Sequence, residues 1–223
     1  MDKFLKIESL THSYGNREIF ANASLELRVG EVVGLLGRNG TGKSTLFNIL
    51  FGTLKPDRIK TTLNGIEITL ADLNQHVGYH TQNIMLPMQV KVRDLIAMFV
   101  KDAEGQDKIF YAKGISALET KNVGSLSLGQ QRYLQFHLIL NLKHTFMLLD
   151  EPFSMIDPLY NDLIKEELVE RKSSKGFIIT DHYYTDILGV SDRVCLLKDN
   201  KIASINATEE LQSEGYISQQ YEV

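Results

Sequence analysis

The chain has 223 residues, of which 43% are hydrophobic, and a formal net charge of −4. That is enough apolar material for a sizeable core, while the negative balance argues against a surface built to hold nucleic acid. No apolar run approaches the roughly 18–20 residues of a spanning helix, and MDKFLKIESL lacks the features of an export signal, so a soluble, cytosolic-type protein is expected.

The first third reads as short extended pieces. FLKIESLTHSY alternates apolar and polar residues, and SLELRVG does so again before a glycine turn. EVVGLLG is a near-continuous apolar run, as expected of a strand buried on both faces of a parallel sheet. The period then changes: Leu46, Ile49 and Leu50, with Phe47 and Phe51 alongside, predict a helix that Gly52 stops. Residues 54–70 return to short strands with a turn at LNG, and VGYHT reads as a further core strand.

From about Asn83 to Asn141 the texture is helical, with Tyr133, Phe136, His137 and Leu140 spaced along one face. The last third alternates: strand TFMLL, a helix around Tyr160, Leu163, Ile164 and Leu168, strand GFIIT, a short helix, and RVCLLKD. Such alternation predicts an α/β unit with a largely parallel sheet. Cys195, the single cysteine, lies in the apolar run RVCLL, where burial in a strand is expected. No internal repeat, low-complexity tract or linker interrupts the chain.

GRNGTGKST matches G-x-x-x-x-G-K-[ST] from Gly37 to Ser44, between the predicted strand and helix. Glycines at Gly37, Gly40 and Gly42 let backbone N–H groups point at a phosphate, and the helix N-terminus adds a positive dipole end. Lys43 would reach the β- and γ-phosphates, and the Ser44 hydroxyl would ligate Mg²⁺. TFMLLDEP supplies the complement, an acidic pair at the end of a buried strand. Asp150 can hold a water on the metal while Glu151 polarises the attacking water, since a carboxylate spent on coordination is a poor base. Gln82 and His182 follow other predicted core strands. In an open parallel sheet the ligand crevice lies beyond the carboxyl ends of the strands, so both would face the same phosphate.

Together these residues resemble the ATP-binding cassette (ABC) ATPases, and the likeness covers nearly the whole chain in the family's motif order. The resemblance implies an α/β P-loop NTPase core with a mainly parallel sheet, an N-terminal antiparallel β-subdomain and a small helical subdomain. It implies a single ABC ATPase domain over 1–223, with about 1–82 and 142–223 as the core and about 83–141 as the helical signature part. Tyr14 looks like the aromatic that stacks on adenine, and the phosphate loop runs over 37–45, including Asn39, Thr41 and Thr45. Gln82 and Asp150 join Ser44 around Mg²⁺, and Glu151, Gln82 and His182 serve hydrolysis. LSLGQ resembles the family signature, so Ser127, Gly129 and Gln130 would contact ATP on a second cassette, from a helix starting near Gln130. SMID resembles the loop whose aspartate, Asp157, borders the partner's site.

The implied activity is Mg²⁺-dependent ATP hydrolysis by a head-to-tail dimer, with a second copy or a paralogue, powering integral-membrane permease subunits. The expected location is cytoplasmic, on the inner face of the cell membrane through the permease. In the family, the region corresponding to Asn83–Met98 receives the permease. A soluble ABC ATPase acting on nucleic acid or ribosomes is the alternative, disfavoured by the negative charge and by the short interval from Gln82 to Ser127, which lacks heptads and cysteines. A non-catalytic regulator would be favoured by loss of Gln82, Glu151 or His182, and all are present; a GTPase would need an Asn-Lys-x-Asp motif, which is absent. The remaining histidines, His12, His76, His80, His137 and His144, show no metal-ligand spacing, so no zinc is expected.

The departures from the family pattern are Leu128, where the signature usually has glycine, Arg38, where proline is frequent, and Met155 and Ile156 beside Asp157. Leu128 costs little if its backbone is helical, but it would be strained at positive φ. Arg38 can be read as a solvated charge. The tail NATEELQSEGYISQQYEV reads as an ordinary terminal segment rather than a regulatory domain.

Overall fold

Period-two alternation buries Leu5 and Ile7 on one face of β1 (Phe4–Tyr14), a register shift at Ser9 (φ 55°) brings Leu10 into the core, and the strand folds back into β2 (Arg17–Arg28) through Gly15 at φ 58°. The structure is a computed structural model that describes residues 3–217. The end of the predicted tail, 218–223, lies outside the described residues.

The apolar run 32–36 forms β3 (Val32–Leu36), buried along its whole length, and leads through the glycine-rich loop into α1 (Lys43–Phe51). Gly42 (φ 115°) opens α1 and Gly52 (φ 81°) closes it, backbone angles that side chains rarely tolerate. β4 (Arg58–Leu63) and β5 (Ile66–Ile68) form a hairpin whose Asn64–Gly65 corner has both residues at positive φ, the geometry that matches strand twist. A single helical turn, α2 (Leu70–Leu73), precedes β6 (Val77–His80).

The next stretch departs from the expected continuous helical texture. Residues 83–91 are irregular, because Pro87 lacks an N–H and disfavours helical geometry at the residue before it. Helices follow as α3 (Val92–Phe99), α4 (Ala103–Phe110) and α5 (Leu128–Leu140), with 3₁₀ turns at Ser116–Leu118 and Val123–Ser125. α5 begins at Leu128, earlier than the expected start near Gln130. Ser127 is its N-cap, accepting from the Gln130 amide at 3.2 Å, while the Gln130 side chain accepts from the Ser127 amide at 3.1 Å. This reciprocal capping box fixes the helix start.

β7 (Phe146–Asp150), α6 (Pro158–Arg171), β8 (Gly176–Thr180), α7 (Tyr184–Val190) and β9 (Arg193–Lys198) realise the predicted alternation. An edge strand, β10 (Lys201–Ile205), and α8 (Thr208–Ser213) complete the described chain. One four-stranded antiparallel sheet has the order β2-β1-β4-β5, and a six-stranded sheet has the order β10-β9-β3-β8-β7-β6. Pairing in the second sheet is parallel except at the β10 edge. Its faces feed separate cores: Val32 and Leu36 pack with the helices of 92–140, whereas Val33 and Leu35 pack with α1 and the antiparallel sheet. His137 is fully buried on its predicted stripe, as is Cys195 in β9.

Candidate functional site

The carboxyl ends of β3, β6, β7 and β8 lie side by side in the six-stranded sheet, so the loops that follow them share one crevice. A cleft of about 450 Å³ opens there, lined among others by Tyr14, Arg17, Asn39, Gly40, Lys43, Glu151 and His182. Gly42, Ser44, Thr45, Gln82 and Asp150 line it too, whereas Gly37 and Thr41 of the expected phosphate-loop set do not. Gly40 takes φ 78° and Gly42 φ 115°, and a Cβ on Gly42 would stand 2.5 Å from the Ile19 side chain. Only glycine gives the loop this bend.

Lys43 folds over the loop, its Nζ donating to the Gly37 carbonyl at 2.6 Å and lying 3.4 Å from that of Arg38. Burial lowers its pKa, opposed by the Asp150 and Glu151 charges. Asp150, 5% exposed, accepts from the Tyr79 hydroxyl at 3.0 Å. Burial raises its pKa, against the pull of the Tyr79 and Ser44 hydroxyls and the Lys43 ammonium. A desolvated carboxylate beside a serine hydroxyl is a hard-oxygen pair suited to Mg²⁺, which takes one or two carboxylates and completes its shell with water and phosphate. Among the described residues no group of three or more His, Cys, Asp or Glu could hold a metal by itself, so the fit is to a cation bound together with a phosphate ligand.

Glu151 stands one residue beyond Asp150 at φ 53°, its amide donating to the Thr180 carbonyl at 2.7 Å. That left-handed kink turns the side chain out of the strand's alternation. One carboxylate oxygen receives Gln82 Nε2 at 2.7 Å and the other lies 2.8 Å from His182 Nε2. The structure thus joins the three residues that sequence reading assigned to hydrolysis.

Residues that the sequence reading missed hold this arrangement. Arg17, placed opposite Tyr14 by the β1–β2 register, donates to the Gly40 carbonyl at 2.8 Å. Buried Arg132 donates to the Gln82 carbonyl at 2.9 Å and reaches that of Glu151 at 3.4 Å. Asp181 accepts from the Phe153 amide at 2.8 Å, the Ser154 hydroxyl at 2.9 Å and the His182 amide at 2.7 Å. Only Asp181 carried a sequence signal, an acid at a strand end.

The signature residues stand apart. Ser127, Gly129 and Gln130 do not line the cleft. They lie beside the Asp157 loop: a Cβ on Gly129 would meet the Asp157 backbone at 3.4 Å. Leu128 is helical, so the strain considered for it does not arise, and it is 48% exposed. Arg38 and Thr41 face away from the cleft and line a second cavity on the other side of the loop.

The glycine-rich loop between a buried parallel strand and a helix, with a buried aspartate on a neighbouring strand, defines an α/β P-loop fold of the nucleotide-binding class. The family model described as ABC transporter matches residues 20–154. The lipopolysaccharide export system ATP-binding protein LptB of Acidithiobacillus ferridurans is 31% identical over 99% of this chain and 97% of its own. Its namesake from Haemophilus influenzae is 28% identical over 97% and 96%. A solved nucleotide-free ATP-binding cassette from an ABC transporter superposes with TM-score 0.82 at 23% identity, over 97% of this chain and 100% of that one. A bacterial Atm1-family ABC exporter with ATP bound gives TM-score 0.82 at 21% identity, over 96% of this chain and 40% of that one. The chain belongs to the ABC transporter family, as an ATP-binding cassette subunit that works with a membrane permease. Membership implies ATP hydrolysis. Among the described residues no helix is long and apolar enough to cross a membrane.

Proposed function

We propose that this cassette binds ATP between Tyr14 and the 37–45 loop and hydrolyses it with Glu151 as the water-polarising base. The observation that carries the reading is the contact of both Gln82 and His182 with the Glu151 carboxylate at the mouth of the phosphate cleft. Tyr14, 51% exposed, offers a ring face to adenine at the edge of that cleft. Asn39, Gly40, Gly42 and the α1 N-terminus present backbone donors to the phosphates, while Thr41, whose amide donates to the Arg38 carbonyl at 3.2 Å, would join them by giving up that bond. Lys43 exchanges its carbonyl partners for phosphate oxygens.

Ser44, Asp150 and Gln82 would hold Mg²⁺, which neutralises charge developing on the phosphates. Glu151 accepts the proton of the attacking water. Gln82 orients that water, and His182 donates a hydrogen bond to the γ-phosphate. In this division of labour Asp150 stays unprotonated beside the cation and Glu151 stays free to act.

Hydrolysis requires a second cassette, a copy or a paralogue, whose Ser127, Gly129 and Gln130 close over the ATP of this one, with Asp157 bordering the joint. The exposed signature beside the Asp157 loop supports that reading. The domain is read as a single ABC ATPase unit, with 1–82 and 142–223 as core and 83–141 as the helical part. The permease would dock on the segment after Gln82, where Met85 and Met88 are exposed while Leu86 anchors in the core. Glu151→Gln protein should elute as a dimer from a sizing column in saturating ATP and Mg²⁺. A monomer under those conditions would overturn the mechanism.

A further inference from the structure

The phosphate loop has two sides, and the C-terminal segment occupies the one that faces away from the nucleotide cleft. Arg38 Nη2 donates to the Gly215 carbonyl at 2.8 Å. Tyr216 is half-buried beside it. Both side chains line a cavity of about 410 Å³ with Thr41, Lys198 and Glu214, and neither lines the nucleotide cleft.

The segment is itself anchored. Leu211 of α8 is fully buried, and its carbonyl accepts from the Tyr216 amide at 2.8 Å. Lys198, at the end of β9, donates to the Glu214 carboxylate at 2.7 Å and to its carbonyl at 3.0 Å. Gly215 reverses the chain at φ 67°, which aims its carbonyl at Arg38. The tail therefore reaches Arg38, whose carbonyl faces Lys43 Nζ together with that of Gly37.

We propose that Arg38 and Tyr216 are positioning residues, through which the segment 208–217 braces the phosphate loop from behind and sets its nucleotide affinity. The proposal rests on the reading of 37–45 as the phosphate-binding loop. A braced loop loses less conformational freedom when phosphate binds, so the brace appears as affinity. Neither residue lines the nucleotide cleft; Arg38 acts through its bond to the tail, and Tyr216 through the cavity wall it shares with Arg38 and Thr41.

The test is calorimetric titration of the full-length protein with ADP and Mg²⁺, which avoids turnover. Arg38→Ala and Tyr216→Ala should each weaken ADP binding about two- to tenfold, the first by removing an exposed hydrogen bond from a charged donor and the second by removing the aromatic wall of the cavity behind the loop. The double variant should lose less than the product of the two, because both contacts serve one loop. Arg38→Lys, which keeps a donor, should recover part of the affinity. ATP turnover by Arg38→Ala should show a raised KM with kcat retained. Wild-type ADP affinity in both single variants, or fully multiplicative losses in the double, would overturn the proposal. Lys43→Ala separates the two readings. If it still binds ADP, the phosphate-loop assignment fails; if it does not bind while Arg38→Ala and Tyr216→Ala bind normally, only the brace fails.

Discussion

Gln82 Nε2 donates to Glu151 Oε2 across 2.7 Å, though the residues are 69 positions apart in the chain. Neither is on a helix or strand: Glu151 directly follows β7 and Gln82 stands two residues past the end of β6, and the adjacent pairing of β6 and β7 sets their separation. The contact belongs to the sheet register, so it survives only while that edge of the sheet is intact. Replacing Gln82 or His182 by alanine should cut steady-state ATP turnover by roughly 10²-fold, the scale of one positioned proton-transfer partner. ADP binding, measured by titration without Mg²⁺, should stay within about twofold of wild type, because neither variant alters the 37–45 loop.

Arg132 should matter as much for structure as for chemistry. Its guanidinium is buried and reaches the carbonyls of Gln82 and Glu151, so it ties α5 to both loops. Arg132→Met fills much of the same space but leaves those carbonyls without their donor. The expected cost is about 2–3 kcal/mol in urea unfolding. Turnover should fall in the folded variant as well, since both carbonyls belong to residues of the hydrolytic group. Unchanged unfolding and unchanged turnover together would show that the tie is idle.

Leu128 occupies the first turn of α5 with its side chain partly in solvent. The glycine that the family usually carries there is not required by this backbone. Leu128→Gly should therefore leave ATP turnover within about twofold and destabilise the helix by up to about 1 kcal/mol. A large gain in turnover would show that the leucine obstructs the partner's nucleotide.

Two buried histidines predict acid sensitivity. His80 is held down to about 4 by burial and the nearby Arg132 charge. His137 is held down to about 3 by burial and the Arg171 charge. Folded pKa values below the unfolded value of about 6.5 mean that the unfolded chain takes up protons first as pH falls. Stability contributed by the neutral rings is full above about pH 7 and declines from about 6.5 toward 4 and 3, by ~1.4 kcal/mol per pH unit for each histidine. Urea midpoints measured from pH 7.5 to 5 should show that slope, and His137→Phe should flatten it. An equal slope in the variant would refute the assignment.

The local signals proved readable from residue order alone. GRNGTGKST and FMLLDE are contiguous, and their neighbouring strands and helices have clear periods, so the loop, the acid pair and the parallel sheet were all expected. Arg17, Tyr79 and Arg132 were not, because each meets its partner only through tertiary pairing. Arg17 depends on the β1–β2 register, Tyr79 on the β6–β7 pairing, and Arg132 on how α5 crosses the loops. β10 was invisible because it is largely exposed and carries no continuous apolar face. The tail's contact with the phosphate loop was equally hidden, since Arg38 alone reads as a surface charge.

Asp181 gives the site a mechanical character. Its carboxylate accepts from the Phe153 amide, two residues after Glu151, and from the amide of His182 at once, tying the loops that follow β7 and β8 to each other. That tie extends through Ser154 toward Asp157, the residue that caps α6. One buried carboxylate thus holds three backbone and side-chain donors from two loops, so its loss would leave the segments around Glu151 and His182 without their common anchor.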